Sequence, residues 1–432
     1  MGHTFDNDDL IAIRRELHRY PEPSWCEYWT TARIVEALER IDVDRMVVGP
    51  AVLDAESRRA LPDRETSEEW LRRAGSRGVS EDLRSTLARG HTGCLAEVGS
   101  GEPVICLRVD IDALPITESS APDHRPAAHG FRSANEGWMH ACGHDAHAAI
   151  GIGVLDRLAS SDRPGTVRVL FQPAEEVAGG GAAMAGAGVV DDVDVLLGMH
   201  VGLDRPTGTV VGGFEGFLAM AGMAVTMAGT EAHAGAAPET GANAIAAMAT
   251  AIEGLHGIPR HAAGATRVNI GTITGGTAAN IVPAHARARG EVRGETTALM
   301  ESMRDRATAR IEAAASLHGC SATVDWGGEA PSASSDERIA TIVAAAAGSV
   351  SGVSNVEPLA QFGASEDATY LMRRVQARGG AASYVGIGTD HPGGHHTPTF
   401  DVDERSIGIG VDVLEAAIVR LLEQENRDVR PN

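Results

Sequence analysis

The chain has 432 residues, too many for one ordinary core, so two domains are expected. It is 43% hydrophobic and 22% charged, a globular balance, and its aromatic content of 4% leaves the cores to Ala, Val, Leu and Ile. A net charge of −22 without any basic stripe excludes a nucleic-acid binder, and no apolar run reaches the length of a membrane span.

The first predicted element is a helix that opens at "NDDL" with acidic residues, places Leu10, Ile13 and Leu17 on one face, and stops at Pro21. A second helix is predicted over about Glu27–Arg40. Residues 50–90 are rich in Arg and Glu; "SEEWLRRAGSRG" and "SEDLRSTLARG" read as a helical insertion on the surface. Strand-like runs follow: "GCLAEV", "VICLRVDIDAL", "VRVLFQPAEE" and "DVLLGMHVG". Their nearly continuous apolar character, with a helix after Asp145 between two of them, predicts a largely buried, mostly parallel sheet. Three runs end in chemically loaded residues: Asp110 and Asp112, Glu175 and Glu176, then His200. Open α/β sheets bind ligands beyond the carboxyl ends of their strands, so one shared site is expected there. From about residue 217 the order becomes β-α-β-β-α-β, that of a ferredoxin-like module. Helix and strand alternate again after "WGGEAPSASSDE". The expected fold is therefore α/β: a mixed, mostly parallel sheet flanked by helices, built from 1–216 and 331–432, with an inserted α+β unit over 217–330. "AGGGAAMAGAG" lacks the Gly-Lys-Ser/Thr ending of a phosphate loop and reads as a turn and a small-residue helix.

The chemistry concentrates in "MHACGHDAHAAIGIG", residues 139–153. Cys142 and His144 lie two apart, so they cannot share a helix face, but in a loop they can point the same way. Asp145 is expected to cap the helix carrying Ile150, Val154 and Leu158, and the dipoles of that helix N-terminus favour a thiolate just before it. The adjacent Glu175 and Glu176 of "FQPAEE" can divide the jobs of ligand and base, or form a solvated acidic turn. His200 is an edge residue or a ligand. His391, His395 and His396 lie in a Gly/Pro loop. Thiol, imidazole and carboxylate groups converging from separate strand ends point to a metal site. A serine hydrolase is excluded by the lack of a Gly-x-Ser-x-Gly elbow.

All 37 basic residues are arginine; with the acid excess, this predicts a salt-loving source. Five cysteines, at 26, 94, 106, 142 and 320, show no framework spacing, and the acidic N-terminus shows no targeting pattern. Both predict a reduced, cytoplasmic protein.

These stretches resemble the aminoacylase/carboxypeptidase superfamily of binuclear metallohydrolases, in the branch of N-acyl-amino-acid, hippurate and auxin-conjugate amidohydrolases. The matching residues are "IRRELHRYPEPSWCEYWTTARIVEALE", "LRVDIDALPI", "MHACGHDAHAAIGIG", "FQPAEE", "GMHVG", "GTEAHAGAAPETGANAI", "GGTAANIVP", "ASEDATYLM" and "HHTPTFDVDE", spread over nearly the whole chain. Within the branch, "RSANEGWMHACGHD", "ASEDATYLMRRVQ" and the helical insertion look most like the members that cleave p-aminobenzoyl-glutamate to p-aminobenzoate and glutamate. The resemblance implies two divalent metals, Zn or Mn, with Co or Ni as alternatives. It implies Cys142, His144, Glu176, His200 and His396 as ligands, with His395 in reserve because the His pair leaves that alignment open. It implies Glu175 as general base, Asp112 as the carboxylate that steers the site, and His233 as the oxyanion donor. It implies Asn280 and Arg293 at the substrate carboxylate, and the inserted unit as a lid and dimerisation domain. The expected assembly is a homodimer, or a heteromer with a related chain, that acts on a small N-acyl amino acid. The alternatives are a broad N-acyl-amino-acid amidohydrolase or dipeptidase, and a catalytically silent member of a hetero-oligomer.

Overall fold

The computed structural model describes residues 3–159 and 163–428, with side chains to 425. These residues form two compact units. The first comprises 333–362 and the described residues of 1–215 and 367–432; the second comprises 216–332 and 363–366.

The first unit is built on an eight-stranded sheet in the order 45–48, 94–100, 165–172, 104–110, 195–201, 381–387, 209–211, 355–357. The middle four strands, Gly165–Gln172, Val104–Asp110, Val195–Val201 and Ala381–Ile387, run parallel. Three of them are buried along their whole length, and the fourth in all but its first residue. Helices cover both faces of such a sheet, which is why these strands read as unbroken apolar runs rather than alternating ones. The outer pairings of 94–100 with its two neighbours, and of 209–211 with 381–387, are antiparallel. Helices Asn7–Arg19, His144–Ala159 and Arg405–Asp428 pack together with the sheet in one apolar cluster that includes Leu10, Ile150 and Val411. Gly153 lets three of these helices meet: a Cβ there would lie 2.7 Å from both Leu10 Cδ1 and Val411 Cγ2. Helices Arg64–Ser76 and Glu81–Leu87 fall inside the stretch read as a helical insertion. Strands Arg45–Val48, Thr209–Val211 and Asn355–Glu357 have no counterpart among the predicted elements; at three or four residues each they are too short for a periodic signal.

The second unit is a four-stranded antiparallel sheet in the order 266–275, 285–294, 219–228, 321–330. Helices Ala244–His256 and Thr297–Leu317 pack on its apolar side. Strand Ala219–Ala228 alternates buried and half-buried residues along its length, the pattern of a sheet with one covered face. Its long elements follow the order β-α-β-β-α-β, with a two-stranded ribbon of Ala232–His233 and Ile281–Val282 added between them.

Candidate active site

Four parallel strands deliver the candidate residues to one end of the first unit. Asp110 closes strand Val104–Asp110, and Asp112 follows two residues later. Gln172 closes strand Gly165–Gln172, and the turn beyond it carries Glu175 and Glu176 between two left-handed residues, Ala174 (φ 55°) and Ala178 (φ 50°). His200 is the penultimate residue of Val195–Val201. The loop after Ala381–Ile387 carries His391, His395 and His396. Cys142 stands two residues before helix His144–Ala159. The residue between them, Gly143, has φ +93°, and a Cβ there would lie 2.5 Å from Val201 Cγ2. Glycine alone makes this bend easily, and the bend turns Cys142 and His144 toward one pocket.

Cys142 is shared by two groups of possible ligands, one with His200 and His395 and one with His144 and Glu176; within each group the donor atoms lie within 4.8 Å of one another. Cys142 Sγ is 3.4 Å from His200 Nε2 and 3.8 Å from His395 Nδ1. His200 Nδ1–H donates to the Val201 carbonyl at 2.7 Å, which leaves the Nε2 lone pair facing the sulfur. Burial, with the neighbouring His147 and His395, drives His200 well below the usual imidazole range and keeps that lone pair unprotonated. His395 Nε2 accepts from Leu203 N at 3.2 Å; burial and the adjacent His391 and His396 hold its pKa at about 3.

His144 is fixed in the complementary way. Its Nδ1–H donates to the Asp112 backbone carbonyl (3.0 Å) and carboxylate (3.3 Å), while its buried Nε2 makes no hydrogen bond. Around that nitrogen stand the carboxylates of Asp110 (3.6 Å), Glu176 (3.8 Å) and Glu175 (3.9 Å). Burial opposes a charge on His144, but Asp110, Asp112 and Glu176 overcome it and raise its pKa to about 10. The field in this pocket thus favours a positive charge, whether a proton on His144 or a cation. The donor set of one thiol, oriented imidazole lone pairs and carboxylates fits divalent metal ions. Asp112 also joins two parts of the site: its Oδ2 accepts from Ser24 Oγ (2.7 Å) and from Glu176 N (3.1 Å).

The two histidines that the sequence left open both stand beside candidate ligands. His395 joins Cys142 and His200, whereas His396, in a left-handed conformation (φ 60°), places Nε2 3.6 Å from Glu176 Oε2 and is 53% exposed. His147 could be mistaken for a ligand beside Asp110 and His144. Its Nδ1–H donates to Asp110, however, and its Nε2 accepts from Val201 N at 2.9 Å, so neither nitrogen is left for a metal. Asp145 is not the expected cap. The helix starts one residue earlier, and the Asp145 carboxylate is buried against Arg14 Nε (2.8 Å) and His18 Nδ1 (2.8 Å). Arg14, His18 and Glu118 do not stand out in the sequence. Their partners are distant in the chain, and the only local hint is charged residues on the apolar face of the first helix.

On the second unit, His233 is exposed, and its Nδ1 accepts from Gly235 N (3.2 Å) and Ala236 N (3.1 Å), which puts the ring proton on Nε2. Asn280 lies alongside: its carbonyl accepts from Ala234 N at 3.1 Å. Arg293 is held by Glu291 (2.7 and 3.1 Å) and Ser365 (3.3 Å).

Residues 106–420 match the model of peptidase family M20/M25/M40. The chain is 40% identical to the indole-3-acetyl-aspartic acid hydrolase of Enterobacter agglomerans, over 94% of each chain. It is 39% identical to one of the subunits of p-aminobenzoyl-glutamate hydrolase from Escherichia coli, again over 94% of each. The crystal structure of the aminobenzoyl-glutamate utilization protein from Klebsiella pneumoniae superposes with a TM-score of 0.81 at 34% identity, covering 95% of this chain and 96% of that one. The chain belongs to peptidase family M20/M25/M40 and is a metal-dependent amidohydrolase.

Proposed function

We propose that this enzyme hydrolyses the amide bond between an aromatic acyl group and an acidic amino acid, with p-aminobenzoyl-glutamate as the leading substrate. The observation that carries the reading is Cys142, one thiol shared by two sets of metal-type donors, with Glu175 beside them. The substrates for which the two relatives are named, an aroyl-glutamate and an arylacetyl-aspartate, share a planar aromatic acyl group and a dicarboxylic amino acid.

Two divalent ions, Zn or Mn with Co or Ni as alternatives, are held by Cys142, His144, Glu176, His200 and a histidine of the pair His395/His396. When bound, such ions lower the pKa of water and polarise a carbonyl. Asp112 orients His144 and the 175–176 turn. Glu175 accepts the proton of the attacking water and passes it to the leaving nitrogen, the step an amine leaving group needs. His233 Nε2–H is the donor for the developing oxyanion, supported by the tautomer that its Nδ1 contacts impose. Asn280 and Arg293 take the substrate carboxylates. Arg293 is paired with Glu291 at 2.7 Å, so a substrate carboxylate there competes with Glu291. The inserted unit, about 217–330, serves as lid and dimerisation domain. A related partner chain is proposed because the Escherichia coli relative is one of the subunits of its hydrolase. A reduced cytoplasmic setting and a salt-loving source rest on cysteine spacing and on the net charge of −22. Among the described residues no helix is long and apolar enough to cross a membrane.

A substrate panel tests the reading. Metal-loaded protein, with and without a candidate partner chain, is offered p-aminobenzoyl-glutamate, indole-3-acetyl-aspartate, N-acetyl amino acids and dipeptides. Highest kcat/KM on the two aryl conjugates is expected. Preference for N-acetyl amino acids or dipeptides overturns the substrate, and inactivity on every amide under both conditions favours a catalytically silent role in a hetero-oligomer.

A further inference from the structure

The turn that carries Glu175 and Glu176 begins at Ala174, whose φ of 55° is left-handed. A second left-handed residue, Trp25 (φ 64°), follows Ser24, whose hydroxyl donates to Asp112 at 2.7 Å. For non-glycine residues such backbones are strained and persist only where the surroundings hold them. The holding group is the same at both places. Glu27 is completely buried, and its Oε1 accepts from Trp25 N (3.0 Å) and from Ala174 N (2.8 Å). Its Oε2 lies 2.6 Å from Thr92 Oγ1, a hydroxyl able to donate to a carboxylate or accept from a carboxylic acid.

We propose that Glu27 is a positioning residue for catalysis: by accepting both strained N–H groups on one oxygen, it locks the loop that sets Asp112 to the turn that aims Glu175. The inference rests on Glu175 being the general base. It extends that role to a side chain outside the ligand sphere, from a loop 147 residues away in sequence. Glu27 needs no negative charge for this task. Burial, reinforced by the nearby Asp112, pushes its carboxyl up to about 8, so it is the N–H and hydroxyl groups around it, not a counter-charge, that define its role. Glutamine reproduces that pattern: a carbonyl oxygen for the two N–H groups and an amide N–H for Thr92 Oγ1. Aspartate, shorter by one methylene, cannot reach both loops. Alanine releases both.

The test uses the full metal-loaded chain and the best substrate from the panel. Four quantities are followed: kcat, KM, metal content and thermal midpoint. E27Q is expected to lose about threefold in kcat, E27D about tenfold, and E27A about a hundredfold. KM should stay within threefold; Glu176 rides on the same turn as Glu175, so metal content is measured for each variant and kcat is expressed per metal-loaded chain. E27Q and E27D keep a polar group in the buried pocket, so the Gln-versus-Asp comparison stands even where E27A does not fold. The inference is overturned by folded E27D or E27A with kcat within threefold of wild type, by E27Q losing as much as E27D, by losses residing in KM, or by losses that disappear when kcat is expressed per metal-loaded chain. E175Q run in parallel separates the two ideas. If E175Q keeps full kcat, the general-base reading itself fails, whatever the Glu27 series does.

Discussion

Removing Arg14 should destabilise the first unit more than any surface change, and the structure gives the size and the pH dependence. The guanidinium is fully buried and touches Asp145 (2.8 Å), Asp401 (2.7 Å) and Glu404 (3.4 Å). In Arg14→Met, Asp401 keeps Arg125 (3.0 Å), and Glu404 keeps Arg15 (2.7 Å) and Arg125 (3.0 Å). Asp145, with no side-chain exposure, keeps the Ala146 N–H (2.9 Å) and His18 (2.8 Å), with His18 as its charged partner. Breaking one side of a buried ion pair costs about 3–5 kcal/mol. For a unit of about 310 residues, an unfolding entropy of about 2.1 cal/mol/K per residue turns about 4 kcal/mol into a Tm lower by about 6 °C. His18 adds the pH dependence. Burial and Arg14 oppose its charge, but Asp145 and Glu118 prevail and hold its pKa at about 9, above the ordinary value of 6.5. A raised imidazole pKa contributes stability that is complete below about pH 6.5 and lost as pH climbs through about 9. With Arg14 gone, His18 is the remaining counter-ion of Asp145, so the gap to wild type should widen between pH 7 and 9.5. Differential scanning calorimetry at both pH values reads this. A Tm loss under 2 °C at pH 7, or a gap that narrows as pH rises, would refute the electrostatic reasoning.

Three further outcomes follow from the site. Glu175→Gln should lower kcat by about 10²–10⁴-fold, the range of a lost general base, with metal content unchanged by elemental analysis. Gly143→Ala should cost about 1–3 kcal/mol and reduce metal content, because it places a Cβ at φ +93° against Val201, between Cys142 and His144; thermal melts with metal analysis measure both. His395→Ala and His396→Ala should differ: loss of one histidine should lower metal stoichiometry more than loss of the other, and equal stoichiometry in both variants would remove the pair from the ligand set.

The fold was legible where the chemistry of burial writes itself into local pattern. Three of the four central strands stood out as apolar runs because they are covered on both faces, whereas 381–387 was not singled out, and residues 219–228 alternate because one face is open. Cys142, His144, Glu176 and His200 stood out as a group at or near strand exits; singly, the glutamates could have been a solvated turn and His200 an edge residue, and only the family resemblance marked all four as ligands. Other features were invisible for a physical reason. His147 and His144 look alike in sequence; only Val201 N, 2.9 Å from His147 Nε2, tells a braced ring from an available one. Asp145 resembled an N-cap, but it lies inside the helix, and its other oxygen is taken by Arg14, 131 residues away. The different placements of His395 and His396, the latter left-handed, belong to a loop whose path no local pattern reveals.

Central to the proposed chemistry is the Cys142 sulfur as a ligand shared by two divalent ions. X-ray absorption of fully zinc-loaded protein tests it most directly. Two equivalents of zinc per chain with a sulfur neighbour at about 2.3 Å are predicted, and that neighbour should vanish in Cys142→Ser. An active wild-type protein whose zinc shows only nitrogen and oxygen neighbours, or a Cys142→Ser spectrum that keeps the sulfur, would contradict it.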